Sequence, residues 1–237
     1  MNRRRSLHEV LARLDAAYDF EGWHWQPHTL PEYVCISALL VQHTNWANVE
    51  RALERLQAAG ACSLDTISKL SEAELAELVR PAGTPLPKAR RLQTLARLAA
   101  EAGGLDRLLA LPADELRARL LATYGIGPET ADAIVLYAAG QPVFQIDAYT
   151  ARIFRRLGLG PGRDRYDAWQ RWFQAALPPD TDTYRRSHAL LVLHGKQTCR
   201  PKPRCEGCCL LELCATGQEK INAGRASARR PTPHTTG

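Results

Sequence analysis

The sequence predicts an all-α, multi-helix fold, and three observations carry that prediction. Apolar residues recur three and four apart along nearly the whole chain, the spacing of one helix face. Glycine or proline closes almost every such run, where a helix must start or stop. No stretch alternates apolar and polar residues well enough to read as a strand. Short helices of this kind, about ten of them, can bury their apolar stripes only against one another.

Each element follows from its own signals. "SLHEVLARLDAAYDF" puts Leu7, Val10, Leu11 and Leu14 on one face. "LPEYVCISALLVQHT" has Pro31 near its first turn and is apolar on most sides, as a central buried helix must be. "WANVERALERLQAAG" is amphipathic and stops at Gly60. "SEAELAELVRPAG" opens on a capping box, Ser71 with Glu74, and ends before Pro81. A helix is expected to start after Pro87 and to end on Gly103 and Gly104. "PADELRARLLATYG", "PETADAIVLYAAG", "DAYTARIFRRLG", "YDAWQRWFQAAL" and "SHALLVLHGKQTC" complete the set. From residue 215 the chain turns polar and basic, and residues 215–237 are expected to be a disordered basic tail.

Composition narrows the function classes. The 237 residues carry 31 Lys and Arg against 25 Asp and Glu, a formal charge of +6. Only five of the basic residues are lysines, and arginine suits bidentate contacts to phosphate. An acidic partner is expected, nucleic acid ahead of membrane. No stretch is apolar enough to span a bilayer and no apolar leader follows "MNRRRSLHEV", so a cytoplasmic protein is expected.

Two motifs carry chemistry. In "TYGIGPETADAI", Gly125 and Gly127 lie between two helices and Pro128 presets the first turn of the second. A glycine turn lets backbone N–H groups approach an anion, and a helix start attracts one, so this hairpin suits a nucleic-acid phosphate. Downstream, "VFQIDAYTARIF" sets a lone acid, Asp147, in apolar surroundings where a helix begins. It fits an N-cap and equally a partly buried reactive carboxylate. The second motif is a cysteine cluster. Cys199, Cys205, Cys208 and Cys214 are spaced to wrap either an iron–sulfur cluster or a tetrahedral zinc, with Cys209 as a fifth thiol. Cys35 and Cys62 sit alone in helical patterns and read as buried thiols.

The hairpin "YGIGPETADAI", the following "IDAYTARIFRRLGL", the helix end "LLVQHTNWANVERAL" and the cysteine cluster stand in one order over residues 25–214. In this they resemble the helix-hairpin-helix DNA glycosylases of the endonuclease III type, nearest the relatives that excise 3-methyladenine. The resemblance implies a six-helix barrel over residues 29–139, and a second subdomain from residues 1–28 and 140–214 holding a 4Fe-4S cluster. A cleft between the two would take double-stranded DNA bearing a damaged base, bound by a monomer. It makes Cys199, Cys205, Cys208 and Cys214 the cluster ligands, although the first gap is one residue shorter than in the commoner pattern. It puts Arg200, Lys202 and Arg204 toward DNA phosphates.

The same resemblance assigns the chemistry. Asp147 becomes the catalytic acid that stabilises an oxocarbenium-like sugar or activates water. Glu129 stands where lyase-competent members carry the nucleophilic lysine, so it is not expected to be a nucleophile, and AP-lyase activity is expected to be weak or absent. Lys196 matches a lysine near the base pocket, Trp23, Trp25 and Trp46 match stacking positions, and Gln42 matches the residue that fills the gap left by a flipped base. A wedge into the duplex is expected from Thr84 or Leu86, just before Lys88 and Ala89, in a loop stiffened by Pro85 and Pro87. The expected function is hydrolysis of the N-glycosidic bond of an alkylated or oxidised base. The alternative is a catalytically weak or inactive relative acting mainly by binding DNA.

Overall fold

The structure is a computed structural model, and it describes residues 3–19 and 30–228. Among the described residues it contains helices and no strand. The chain divides into two compact units.

The larger unit comprises residues 26–145 and 179–185. It holds α2 (Pro31–Leu40), α3 (Trp46–Ala58), α4 (Leu64–Lys69), α5 (Glu72–Val79), α6 (Pro85–Glu101), α7 (Leu105–Leu109), α8 (Ala113–Ala122) and α9 (Pro128–Ala133). α9 continues as a π turn, Ile134–Ala138. Helix α2 is the centre: Val34, Cys35, Ile36, Leu39 and Leu40 are all buried, and it packs on α3, α6, α9 and the π turn. The ends are set by caps. Asn45 accepts the Asn48 N–H at 3.1 Å, and the Ser71–Glu74 capping box forms as expected. A second box, Ser63 with Thr66, starts α4.

The smaller unit comprises residues 1–25, 146–178 and 186–237. It contains α1 (Arg3–Ala17), α10 (Ala148–Leu157), α11 (Tyr166–Gln174), all of α12 (Thr181–Gln197) beyond residue 185, and α13 (Ala215–Ala228). Leu7, Val10 and Leu14 of α1 are buried, as their spacing requires. Phe154, Trp172 and Phe173 meet edge to face at centroid distances of 5.0–5.4 Å, which locks α10 to α11.

Two expectations are corrected. Residues 215–228 are not a disordered tail but helix α13, which packs on α10 and on the 3-10 turn Leu211–Leu213. Its start is anchored where the Gly217 N–H meets the Cys214 sulfur at 3.3 Å. Residues 229–237 lie outside the described residues. Helix α6 begins at Pro85, not after Pro87, because the first turn of a helix has no intrahelical acceptor for its N–H groups and proline costs nothing there. Helices α4 and α7 have six and five residues, too few to show a period.

Candidate functional site

The hairpin between α8 and α9 is braced from several sides, all within the larger unit. Gly125 adopts φ +80, and a Cβ there would fall 2.3 Å from Cγ of Arg91, so both conformation and contact demand glycine. Gly127 differs: its backbone is extended, and a Cβ would meet open space. Gln42 is the cross-brace. Its Nε2 donates to the Gly125 carbonyl at 3.1 Å and to Thr130 Oγ1 at 2.9 Å, and its Oε1 accepts from Arg91 at 2.5 Å. Fully buried Asp132 accepts from Arg117 Nε at 2.6 Å, which ties α9 to α8. Glu129, in the first turn of α9, is exposed, as is Gly127.

A buried lysine holds the adjoining segments. Lys88 is 1 % exposed, and its ammonium donates to the carbonyls of Leu40 at 2.8 Å and Ala82 at 2.5 Å. Burial, with Arg91 nearby, brings its pKa down to about 8. Just beyond each held carbonyl a non-glycine residue takes positive φ: His43 at +56 and Thr84 at +39. Such conformations persist only where the surroundings over-determine them. Thr84 is exposed, and Leu86 is half exposed in the first turn of α6.

In the smaller unit, Asp147 is the N-cap of α10. Its Oδ1 accepts the Thr150 N–H at 2.7 Å, and its Oδ2 lies 3.6 Å from Nε2 of buried His188. Burial by itself pushes the Asp147 carboxyl up, yet the His188 and Thr150 contacts together hold it below the usual carboxylate range. The expected N-cap is therefore formed, by a carboxylate that is itself buried.

The remainder of α10 grips the cysteine loop. Arg152 donates to the carbonyls of Cys199 at 2.9 Å and Gly195 at 3.1 Å. Arg156, one turn on, donates to the Cys199 sulfur at 3.3 Å and to the carbonyls of Arg200 and Pro201 at 2.6 and 2.9 Å. The ring of Tyr149 lies against Gly195, where a Cβ would come within 2.5 Å of it. Cys199, Cys205, Cys208 and Cys214 line one recess with Arg156, and Cys209 does not. Burial raises the Cys199 thiol, but His194 and Arg156 bring it net below its ordinary value. Among the described residues no three Cys, His, Asp or Glu side chains are gathered as a single-ion site would need. The recess itself, ringed by four thiols with N–H donors on Cys199 and Cys214, is the donor set an iron–sulfur cluster takes.

The structure thus joins Gly125 to Gln42, and it sets the four spaced cysteines along one recess. Lys196 is exposed in the last turn of α12, and Lys202 and Arg204 are exposed on the cysteine loop. Trp46 is half-buried, packed on the core of the larger unit, while Trp23 and Trp25 lie outside the described residues. His188, Arg91 and Arg156 escape sequence reasoning, and Lys88 enters it only beside Ala89. Only His188 left a trace there, a lone histidine inside the apolar run "SHALLVL".

A family model described as HhH-GPD superfamily base excision DNA repair protein matches residues 36–179. A Methanocaldococcus jannaschii protein bearing the name DNA repair glycosylase is 37% identical over 216 residues, covering 90% of this chain and 97% of its own. Endonuclease III of Sulfolobus acidocaldarius is 25% identical over 201 residues, 80% of this chain and 88% of that one. Among solved structures, the H. pylori 3-methyladenine DNA glycosylase bound to 1,N6-ethenoadenine superposes with TM-score 0.71 at 26% identity, covering 81% of this chain and 97% of that chain. An endonuclease III–DNA complex gives TM-score 0.80 at 23% identity over 94% of this chain and all of the other, a likeness of fold. With the matched model spanning more than half of its length and a relative above 30% identity along nearly all of it, the chain belongs to the HhH-GPD superfamily of base excision DNA repair proteins.

Proposed function

We propose that this DNA glycosylase hydrolyses the N-glycosidic bond of a damaged base, with water as the nucleophile and no lysine-dependent strand cleavage. The observation that carries the reading is Asp147: a buried carboxylate held below the ordinary carboxylate range, on a chain whose hairpin carries Glu129. The base leaves the stack before reaction. As the bond from C1′ to the base nitrogen breaks, its electron pair goes to the base and positive charge builds on the sugar. Asp147 stabilises that charge and accepts a proton from water as the water oxygen bonds to C1′. The proton then passes to the departing base, and the carboxylate is regenerated.

The hairpin, braced through Gln42 and Arg91, would hold backbone phosphate through the N–H groups around Gly125 and Gly127. Cys199, Cys205, Cys208 and Cys214 would hold a 4Fe-4S cluster. When bound, the cluster supplies a cross-link that orders the loop bearing Arg200, Lys202 and Arg204. Likeness to a 3-methyladenine glycosylase favours alkylated purines as substrates, and a cationic base stacks well on indole, which Trp46 would offer together with Trp23 and Trp25. Lys196 would contact the base or Asp147 rather than the sugar, and Thr84 or Leu86 would enter the duplex.

The test is release of free base from duplexes treated with a methylating agent or an oxidant, measured with and without alkali. The expected result is free methylated purine, strand breaks only after alkali, and neither from Asp147→Asn. DNA binding without release of any base would leave the purely binding alternative standing.

A further inference from the structure

We infer that His188 is a positioning residue for base release: its buried imidazole holds the Oδ2 oxygen of Asp147, as the α10 cap holds Oδ1. The inference rests on the glycosylase reading above and deepens it. His188 is 1 % exposed on α12, and its Nε2 lies 3.6 Å from Oδ2. The two carboxylate oxygens are thus divided between two elements, Thr150 N–H on one and the imidazole on the other. A carboxylate so divided cannot rotate without losing a contact, and the reaction needs it fixed toward the sugar.

Other groups close by do not serve this role. Tyr149, in the first turn of α10, has its hydroxyl pKa raised by burial and by the Asp147 charge, so it remains neutral and does not compensate that charge. Arg152 lies over the Tyr149 ring at 5.1 Å, with its guanidinium spent on the Gly195 and Cys199 carbonyls. Burial works against the ionised carboxylate, and His188 is the first of the contacts that outweigh it. A histidine that merely filled core volume would be replaceable by leucine with no effect on the carboxylate.

The experiment compares wild type, His188→Leu and His188→Gln on methylated duplex, reading single-turnover base release against pH and DNA affinity separately. A carbon-13 NMR titration of the Asp147 carboxyl accompanies it and needs no turnover. In His188→Leu we expect release at neutral pH to fall about tenfold to a hundredfold. Its acid limb and the carboxyl titration should both move up by about one pH unit. DNA affinity should be unchanged, and His188→Gln, which keeps an N–H donor, should recover most of both effects. An Asp147 titration identical in wild type and His188→Leu would overturn the inference, whatever the rates. If wild type releases no base while the titration moves, the glycosylase reading fails and the His188 contact stands. If His188→Leu does not fold, His188→Met, which also lacks an N–H donor, takes its place against His188→Gln.

Discussion

The hairpin and the α10–cysteine region are assembled in opposite ways. The hairpin is largely local: Gly125, Gly127, Pro128 and Thr130 sit within a few residues, and Gln42 and Arg91 reach in from afar. The α10 region is almost wholly non-local. Arg152 and Arg156 find their partners 43 to 47 residues away, and Asp147 meets His188 across the gap between two helices. A local turn is specified by its own residues and tolerates changes elsewhere. A non-local site depends on arginine forks and carbonyls that no motif records.

The largest effect that can sharpen this contrast is at Asp147. Replacing it with asparagine keeps an N-cap of nearly equal quality, so the helix remains. Base release should drop by about a hundredfold or more while DNA affinity stays within a factor of about two. Parallel loss of binding, read by filter retention, would mean that the cap and not the carboxylate carries the function.

Next comes Gly125→Ala, which strikes the local region. The positive φ costs about 1–2 kcal/mol in a residue with a Cβ, and Arg91 must move as well. DNA affinity should weaken about tenfold, with the chemical rate on saturating DNA little changed. Gly127→Ala, where a Cβ meets open space, should do far less. Equal damage from both would contradict the asymmetry seen between the two glycines.

Arg156→Ala probes the non-local region. It removes contacts to one sulfur and two carbonyls, an expected loss of about 1–3 kcal/mol. Thermal unfolding should shift down by several degrees, and Arg156→Lys should recover little, because a lysine cannot reproduce the fork. Full recovery by lysine would show that charge alone matters there.

The smallest effect is in acid. The folded pKa of Asp147 lies below its unfolded value, so its contribution to stability is complete above about pH 4 and is lost as pH falls through the lower folded value. Urea midpoints of wild type and Asp147→Asn should therefore converge below about pH 4. A gap that stays constant down to that range would place the stabilising charge elsewhere.

These differences explain what the sequence could tell. Helix periods, the Ser71–Glu74 box and the Asp147 cap are short-range patterns, and all appear in the structure. The start of α6 is not legible, because proline in a first turn looks like proline in a loop. Helix α13 is hidden because its polar sequence shows no apolar face, and its anchor is the sulfur of Cys214. Lys88 reads only as one half of a lysine–alanine pair, since nothing in a sequence says that an ammonium will be buried between two carbonyls. His188 and Arg156 needed the tertiary fold to acquire meaning at all.

The central claim, that the chemistry rests on a carboxylate and water with no amine, is tested most directly by borohydride trapping on a duplex carrying one abasic site. A lyase passes through a Schiff base that borohydride makes permanent. The account predicts almost no covalent protein–DNA adduct from the wild type, at concentrations that saturate binding, and a gain of adduct in Glu129→Lys. Efficient trapping by the wild type, abolished in Lys196→Ala, would contradict it and would show that the exposed lysine of α12 is the nucleophile.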